Sequence, residues 1–362
     1  MNSSRAVAAV LLVLVLLVVR RRGRRAERRV GMRLVADAAG NEALVTEGEV
    51  GTRKMLFMVD TAYAGPPVLS TSYLAVQGRE WFPSSVEERY RAVADGLRHA
   101  VTAEGRNAAL ARLLSESGCR SYASGCTMRL MGIGETTEAQ ADLLLCDGVA
   151  FRGEGGGVAE TGSDVFVSNP LPTSVHILTM DFLLHRSPCL LLMREEVMVW
   201  RAGLFSGAGF HFLTPTLVGG AMRVPMAVGG TTLQIVVDTG AAAPLSLSPS
   251  AVERLTVCGA AETPRKATQV GVNGERVCSD VFRVRVRVGP IDVGAVDAFA
   301  NSHDVEGADG YAGIGLLRAL DLHLSPGAIG FRASGLPPSR ATAVSEGKCG
   351  KAAFAPRCMK GE

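Results

Sequence analysis

The chain has 362 residues, of which 47% are hydrophobic and 20% charged, and its formal net charge is +3. This length is enough for two domains of ordinary size, and the high apolar fraction excludes an intrinsically disordered chain. The charge is small but unevenly placed, because seven arginines fall within residues 20–29.

The N-terminus joins an apolar run of fourteen residues, 6–19, to this basic run. A bilayer span needs about twenty residues, but arginines at its boundary can extend the reach of a shorter one. A cleaved signal peptide is disfavoured, because the positive charge follows the apolar run and no small-x-small cleavage site is present. We therefore predict that residues 1–29 form a single-pass membrane anchor with a polybasic flank. The positive-inside rule then predicts a cytoplasm-facing domain. The alternative for the apolar run is a buried core helix.

The eight cysteines fall at no metal-ligand spacing, and the chain contains no C-x-x-C pair. We therefore expect no metal site. Cys119 with Cys126 and Cys349 with Cys358 could form local disulfides in a lumenal domain, whereas in a cytoplasm-facing domain they would remain reduced, and the cysteine count alone does not decide between the two. Six scattered histidines show no pairing with a Cys or Ser nucleophile motif, so the sequence does not favour nucleophilic catalysis.

Strand patterns occupy most of the remaining chain, with one helical interruption. In residues 84–118 apolar side chains recur at helical spacing after a serine cap, whereas the flanking segments alternate as strands do. The predicted organisation is an N-terminal lobe at 30–200 with a helical insertion at 84–118, a linker at 201–211, a C-terminal lobe at 212–336 and a disordered tail at 337–362.

Two segments of the chain repeat each other: "FMVDTAYAGPPVLS" at 57–70 and "IVVDTGAAAPLSLS" at 235–248. They agree at Asp-Thr, at a proline six residues after the aspartate, and at the final Leu-Ser. Glycine-rich hairpin sequences follow both segments, and later "HILTMDFLL" resembles "GYAGIGLLRAL". One ordered series of features therefore occurs twice, which predicts an internally duplicated, two-lobed β protein.

Each repeat ends an apolar strand in an aspartate, Asp60 in the first and Asp238 in the second. Burying one carboxylate is costly unless it is hydrogen-bonded or shares a proton. Two such aspartates that meet across a pseudo-two-fold axis cannot both ionise, so the pair holds one proton. The ionised member can then accept a proton from water while the protonated member donates to a carbonyl oxygen. This is general acid–base hydrolysis of a peptide bond.

These motifs resemble those of the pepsin-type and retropepsin-like aspartic peptidases. "IVVDTGAA" is similar to the family's apolar-apolar-Asp-Thr/Ser-Gly motif, and "YAGIGLL" to its later apolar-apolar-Gly element, with Gly313 as the glycine. The first-half segments have the same form but carry Ala62 and Thr179 where the family has glycine. The resemblance spans residues 43–335. It implies the acid-protease fold, which is mainly β with two homologous β-barrel-like lobes, here with a helical insertion in lobe one.

The resemblance also implies a role for each matched residue. The implied site consists of the catalytic pair Asp60 and Asp238, the loop braces Thr61 and Thr239, the supporting loop residues Ala62 and Gly240, and the flap residues Gly132, Ile133 and Gly134. The implied partner is a peptide or protein substrate with hydrophobic side chains next to the scissile bond. No metal and no organic cofactor is implied.

Two departures from the family pattern bear on activity. Ala62 adds a methyl group where the backbone approaches the carboxylates, and it fits only if the local φ is negative. Tyr63 and Ala241 stand where pepsin-like members have a Ser or Thr hydroxyl, so we expect the pair to titrate nearer neutral pH. We predict a membrane-anchored peptidase with no nucleic-acid partner. The alternatives are a catalytically inactive relative that keeps the fold as a peptide-binding or scaffold protein, and a nucleic-acid-binding protein that uses the arginine run.

Overall fold

Fourteen segments of the chain are described by the computed structural model: residues 27–36, 42–50, 53–63, 67–70, 119–131, 136–153, 158–169, 176–185, 188–201, 208–218, 220–257, 264–270, 276–301 and 307–339. Within them the chain forms twenty-one β-strands and three short helices. The prediction of a mainly β protein is therefore confirmed. The predicted helical insertion at 84–118 and the predicted flap at 132–134 lie outside the described residues.

The elements fall into two halves of similar order. The first half contains β1 (Glu27–Ala36), β2 (Glu42–Val50), β3 (Arg53–Asp60), β4 (Val68–Ser70), β5 (Cys119–Met131), β6 (Thr136–Arg152), β7 (Val158–Asn169), β8 (His176–Thr179), α1 (Met180–His185), β9 (Cys189–Leu192) and β10 (Val197–Arg201). The second half contains β11 (His211–Leu213), β12 (Thr216–Val218), β13 (Ala221–Val228), β14 (Thr231–Val237), β15 (Leu245–Leu247), α2 (Pro249–Val257), β16 (Arg265–Val270), β17 (Arg276–Val288), β18 (Ile291–Ala300), β19 (Gly310–Ala312), α3 (Ile314–Leu317), β20 (Leu320–Ser325) and β21 (Ala328–Ala333).

Both halves repeat the same pattern of strand pairing. In the first half β2 pairs with β3 and β6, and β6 pairs with β5 and β7. In the second half β13 pairs with β14 and β17, and β17 pairs with β16 and β18. The duplication inferred from the sequence repeat is therefore present in the sheet topology.

A parallel pair of strands in each half carries the repeated Asp segment. β3 runs parallel to β8, with Asp60 opposite Thr179. β14 runs parallel to β19, with Val237 opposite Ala312. Since parallel strands end at the same edge of a sheet, each aspartate lies beside the start of the short helix that follows β8 or β19. In each half, a functional site is therefore expected at this edge of the sheet.

The described strands form two sheets, and the larger one, of thirteen strands, joins the halves because β11, β20 and β21 of the second half continue the first-half sheet, while β12 to β19 form a separate eight-stranded sheet. β20 pairs antiparallel with β9, and Leu322 lies opposite Leu191 and Leu324 opposite Cys189. β9 also pairs with β10, and β20 with β21. The two halves are therefore connected by backbone hydrogen bonds as well as by side-chain packing.

The core follows the alternation of the strands. In β17, Val286 and Val288 are buried while Arg285 and Arg287 are exposed, as the period of two requires. In the first half the core is aromatic, with Phe151 at its centre. Its ring centroid lies 5.5–5.9 Å from those of Phe57, Phe182 and Trp200. Tilted and edge-on rings of this kind pack a large apolar area into the core of the first half.

The N-terminal strand corrects the predicted membrane anchor. Residues 27–29, assigned from the sequence to the polybasic flank, begin β1, where Arg28 and Arg29 pair in register with β10. The Arg29 guanidinium lies 3.0 Å from the Glu195 carboxylate, so it has a protein partner. None of the helices within the described residues is long and apolar enough to cross a membrane. The apolar run 6–19 lies outside those residues. The prediction of a single-pass, cytoplasm-facing protein is therefore wrong as a description of this structure.

Two described cysteines differ in redox state. Cys278 is disulfide-bonded, a state that the cysteine count alone left undecided. Cys189 is a buried free thiol, and burial raises its pKa, which keeps it protonated. In the described part of the chain, no group of three or more His, Cys, Asp or Glu is placed to hold a metal ion.

The predicted linker and tail are described only in part. Ser339, at the start of the predicted tail, donates its N–H to the Gly315 carbonyl at 2.7 Å. The Arg318 guanidinium contacts both Ser339 and Glu42 of β2. The predicted domain boundaries at 200 and 212 remain predictions.

Candidate active site

The two aspartates of the repeat occupy corresponding places in the two halves. Asp60 is the last residue of β3, and Asp238 directly follows β14, where its N–H donates to the Ala312 carbonyl at 2.9 Å. Both aspartates are half-buried. Each is therefore partly withdrawn from water at the edge of a parallel strand pair.

Each aspartate loop is bound to the start of a helix. The N–H of Met180, the first residue of α1, donates to the Tyr63 carbonyl at 2.9 Å. In the second half, the N–H of Ile314, the first residue of α3, donates to the Ala241 carbonyl at 2.7 Å. Tyr63 and Ala241 each follow their aspartate by three residues, so the two loops are held in the same way.

Each carboxylate accepts two backbone N–H groups from its own loop, donated by the residues two and three positions later. The four bonds are Ala62 N to Asp60 Oδ1 at 2.9 Å, Tyr63 N to Asp60 Oδ1 at 3.0 Å, Gly240 N to Asp238 Oδ1 at 2.9 Å, and Ala241 N to Asp238 Oδ1 at 3.0 Å. Such bonds favour the ionised form and fix the orientation of each carboxyl group.

Two buried threonines bind the loops to each other. The Thr61 N–H donates to Thr239 Oγ1, and the Thr239 N–H donates to Thr61 Oγ1, both at 3.1 Å. The Thr61 hydroxyl donates to the Val237 carbonyl at 2.9 Å, and the Thr239 hydroxyl donates to the Val59 carbonyl at 2.6 Å. Both side chains are fully buried. These four bonds therefore lock the two aspartate loops together across the boundary between the halves.

Gly240 lies between the two carboxyl groups. Its N–H donates to Asp238 Oδ1 at 2.9 Å. A Cβ atom on Gly240 would lie 2.6 Å from both Cγ and Oδ2 of Asp60, closer than any real contact. The backbone of Gly240 thus contacts the Asp238 carboxyl group, and a side chain at this position would collide with the Asp60 carboxyl group. The two carboxyl groups are therefore neighbours, and position 240 requires glycine.

The electrostatics of the pair are unequal. Burial raises the pKa of Asp60, and the N–H groups of Ala62 and Tyr63 oppose that rise. Burial raises the pKa of Asp238 well above its usual range, and the negative charge of Asp60 raises it further. Two neighbouring carboxyl groups cannot both ionise, so the pair holds one proton between them.

Ala62 adopts an ordinary backbone conformation. The only non-glycine residue with a positive φ in the described part of the chain is Glu196. The Ala62 methyl group is therefore compatible with its φ, and the Ala62 N–H makes the same bond as that of Gly240. The substitution that distinguishes the first repeat causes no backbone strain at this position.

The later glycine of the family pattern differs between the halves. A Cβ on Gly313 would meet the carbonyl oxygens of Ala243 at 2.1 Å and Ala241 at 2.4 Å. In the first half the place is taken by Thr179, which is buried and accepts the N–H of Phe182 at 3.3 Å. Thr179 thus caps α1, a role that glycine could not perform.

Two tyrosines lie beside the aspartates. Burial, and then the charge of Asp60, raises the pKa of Tyr63 to about 12. Burial, and then the charge of Asp238, raises the pKa of Tyr311 to about 12. No role was predicted for Tyr311, although it stands two residues before Gly313. Its position relative to Asp238 depends on the pairing of β19 with β14, which no local pattern reveals.

Comparison with known proteins agrees with the motifs. An aspartyl protease family model matches residues 224–317, which include Asp238 and Gly313. Basic 7S globulin from soybean has a similar structure, with 9% sequence identity, a TM-score of 0.48, and coverage of 88% of this chain and 100% of that chain. A retropepsin-like aspartic protease from Rickettsia conorii matches with 15% identity, a TM-score of 0.27, and coverage of 34% and 90%. No curated protein sequence matches the chain. The family match confirms the resemblance to aspartic peptidases.

Proposed function

We propose that this chain, which is aspartic-protease-like in family and fold, is an endopeptidase that uses Asp60 and Asp238 to activate one water molecule. The observation that carries the proposal is the joined pair of loops. Two carboxyl groups meet at Gly240, and reciprocal threonine bonds hold them in place. A structural turn has no need of two neighbouring carboxyl groups whose mutual repulsion costs stability.

The proposed reaction proceeds by proton transfer without a covalent enzyme intermediate. Ionised Asp60 accepts a proton from water, whose oxygen attacks the peptide carbonyl carbon. Protonated Asp238 donates its proton to the carbonyl oxygen, which gives a neutral tetrahedral diol. Asp60 then returns its proton to the amide nitrogen while Asp238 regains one from a diol hydroxyl, and the C–N bond breaks. Such acid–base steps contribute about 10²–10⁴-fold to rate.

The substrate in this proposal is a peptide or protein bound between the predicted lobes at 30–200 and 212–336. Thr61 and Thr239 keep the carboxyl groups in register while substrate binds. Both pKa values are raised, and Tyr63 and Ala241 supply no Ser or Thr hydroxyl to lower them. We therefore expect a pH–rate profile that peaks above about pH 4, the usual range of a carboxyl pKa.

The test is cleavage of a peptide library by the purified full-length chain. Asp60→Asn and Asp238→Asn are each expected to lower kcat/KM by at least about 10²-fold, and a statine-type mimic of the tetrahedral diol should inhibit the wild type. Asp181→Asn is the matched control, because Asp181 is an exposed carboxylate on α1 that takes no part in the pair. Full activity in either pair variant would refute the proposal.

A second candidate is a peptide-binding protein without catalysis. It is favoured by one observation: the departures at Ala62 and Thr179 both lie in the first half, and the family match covers only residues in the second. This candidate predicts that the full-length wild type binds library peptides and releases them intact. Calorimetry combined with mass spectrometry of the recovered peptides distinguishes the two functions.

A further inference from the structure

The two tyrosines at the site come from different places in the duplicated fold. Tyr63 follows Asp60 by three residues, and the corresponding residue of the second half is Ala241. Tyr311 lies opposite Val236, two residues before Asp238, and the corresponding residue of the first half is Ile177, opposite Met58. Each aromatic side chain therefore has an aliphatic counterpart, so the pseudo-symmetry of the backbone does not extend to these side chains.

Tyr311 shares a sheet face with Asp238. Side chains two residues apart on a strand lie on the same face, and directly opposed residues on neighbouring strands do too. Val236 precedes Asp238 by two residues and lies opposite Tyr311, so all three lie on one face. Tyr311 is half-buried while its neighbours Gly310 and Ala312 are buried. The phenol therefore lies on the carboxylate side of the sheet and is partly open to solvent.

Tyr63 is fixed beside Asp60 by its backbone. Its N–H donates to Asp60 Oδ1 at 3.0 Å, and its carbonyl accepts the Met180 N–H at 2.9 Å. Like Tyr311 it is half-buried, and the Asp60 charge acts on its phenol. Both backbone groups of Tyr63 are held, so its side chain starts from a fixed position next to the aspartate.

We propose that Tyr63 and Tyr311 are specificity-determining residues of the site, whose rings take up space beside the two carboxyl groups and select peptides with small side chains on either side of the scissile bond. The inference rests on the proposed peptidase function and makes its substrate class specific. Where the resemblance to aspartic peptidases implies hydrophobic side chains at these two peptide positions, the rings favour glycine, alanine and serine. A pocket shortened by an aromatic ring rejects larger side chains by steric exclusion.

The test exchanges each tyrosine for its own counterpart in the other half. Tyr63→Ala copies Ala241, and Tyr311→Ile copies Ile177, so both replacements already occur at equivalent backbone positions of this fold. For the full-length protein we expect kcat/KM on peptides with leucine or phenylalanine beside the scissile bond to rise at least about tenfold relative to peptides with alanine there. Tyr63→Phe and Tyr311→Phe keep the ring and should keep the wild-type preference.

A binding measurement separates this inference from the proposed function. In full-length Asp60→Asn, calorimetry with the same peptides should show tighter binding of the small-side-chain peptides, and Tyr63→Ala or Tyr311→Ile added to that background should remove the difference. Cleavage by the wild type with a side-chain preference that neither exchange alters would overturn the inference and leave the proposed function standing. Peptide binding without cleavage, with the preference relaxed by the exchanges, would overturn catalysis and support the tyrosine assignment. Neither binding nor cleavage would overturn both.

Discussion

Replacing Thr239 by valine tests whether the threonine bonds hold the two halves of the site together. The hydroxyl of Thr239 donates to the Val59 carbonyl at 2.6 Å and accepts the Thr61 N–H at 3.1 Å. Valine has the same shape but removes the hydroxyl that serves both backbone groups. Each backbone group that loses this hydrogen bond costs about 1–3 kcal/mol, so the free energy of unfolding should fall by about 2–6 kcal/mol.

The bonds are reciprocal, which gives the experiment a second and sharper readout. Thr61→Val should cost a similar amount, because Thr61 binds Val237 and Thr239 in the mirrored arrangement. The double variant should not show the sum of the two losses, since both single variants disrupt one shared network. We expect a coupling free energy of about 0.5–3 kcal/mol in a double-mutant cycle measured by urea unfolding.

Thr46→Val is the matched control for this cycle. Thr46 is also buried and donates to the Gly31 carbonyl at 2.7 Å, but within the described residues it shares no hydrogen-bond partner with Thr239. It should therefore lower stability by about 1–3 kcal/mol and combine additively with Thr239→Val. A Thr61–Thr239 coupling no larger than that of Thr46–Thr239 would refute the idea that the network acts as one unit.

Three further predictions concern the residues around this network. Gly240→Ala places a methyl group against the Asp60 carboxyl group and should lower kcat at least about 10²-fold in peptide kinetics. Ala62→Gly, by contrast, should only reduce the free energy of unfolding, by about 0.4–1 kcal/mol in urea unfolding. Because the folded-state pKa of Asp238 is raised, the contribution of this carboxyl group to stability is greatest at low pH and is lost as pH rises above 3.8, so Asp238→Asn should stabilise the protein at pH 7 in denaturation curves. Burial lowers the pKa of His176 to about 4, so between pH 6.5 and 4 only the unfolded chain binds a proton at this imidazole. The free energy of unfolding should therefore fall by roughly 3 kcal/mol as pH is lowered through that window. A His176 imidazole resonance that titrates near pH 6.5 in NMR would contradict this.

The elements that the sequence predicted well are those governed by local periodicity. The alternation of valine and arginine in β17 requires one buried and one exposed face, and the structure has both. The repeated Asp-Thr segments predicted the duplication, because residues 178 positions apart had the same neighbours in the same order. The mainly β class follows from these patterns alone.

The features that the sequence missed depend on contacts between distant residues. Tyr311 reaches the face of Asp238 only because β19 pairs in parallel with β14, and a parallel register leaves no local signal. Arg28 and Arg29 follow an apolar run, which favoured a membrane flank, yet they enter β1 because β10 offers a strand edge. α2 was not predicted, since its nine residues are too few for a clear helical period.

The pairing of β20 with β9 gives the duplicated protein a freedom that two separate identical subunits lack. The two strands belong to equivalent parts of the two halves, so the sheet is joined as it would be in a symmetric dimer, but within one chain. In a homodimer, any substitution appears twice at the shared site. Here one half holds Tyr63 and Thr179 while the other holds Ala241 and Gly313. A peptide bound across such a site meets different neighbours on each side of its scissile bond, so the direction of its chain is selected as well as its side chains.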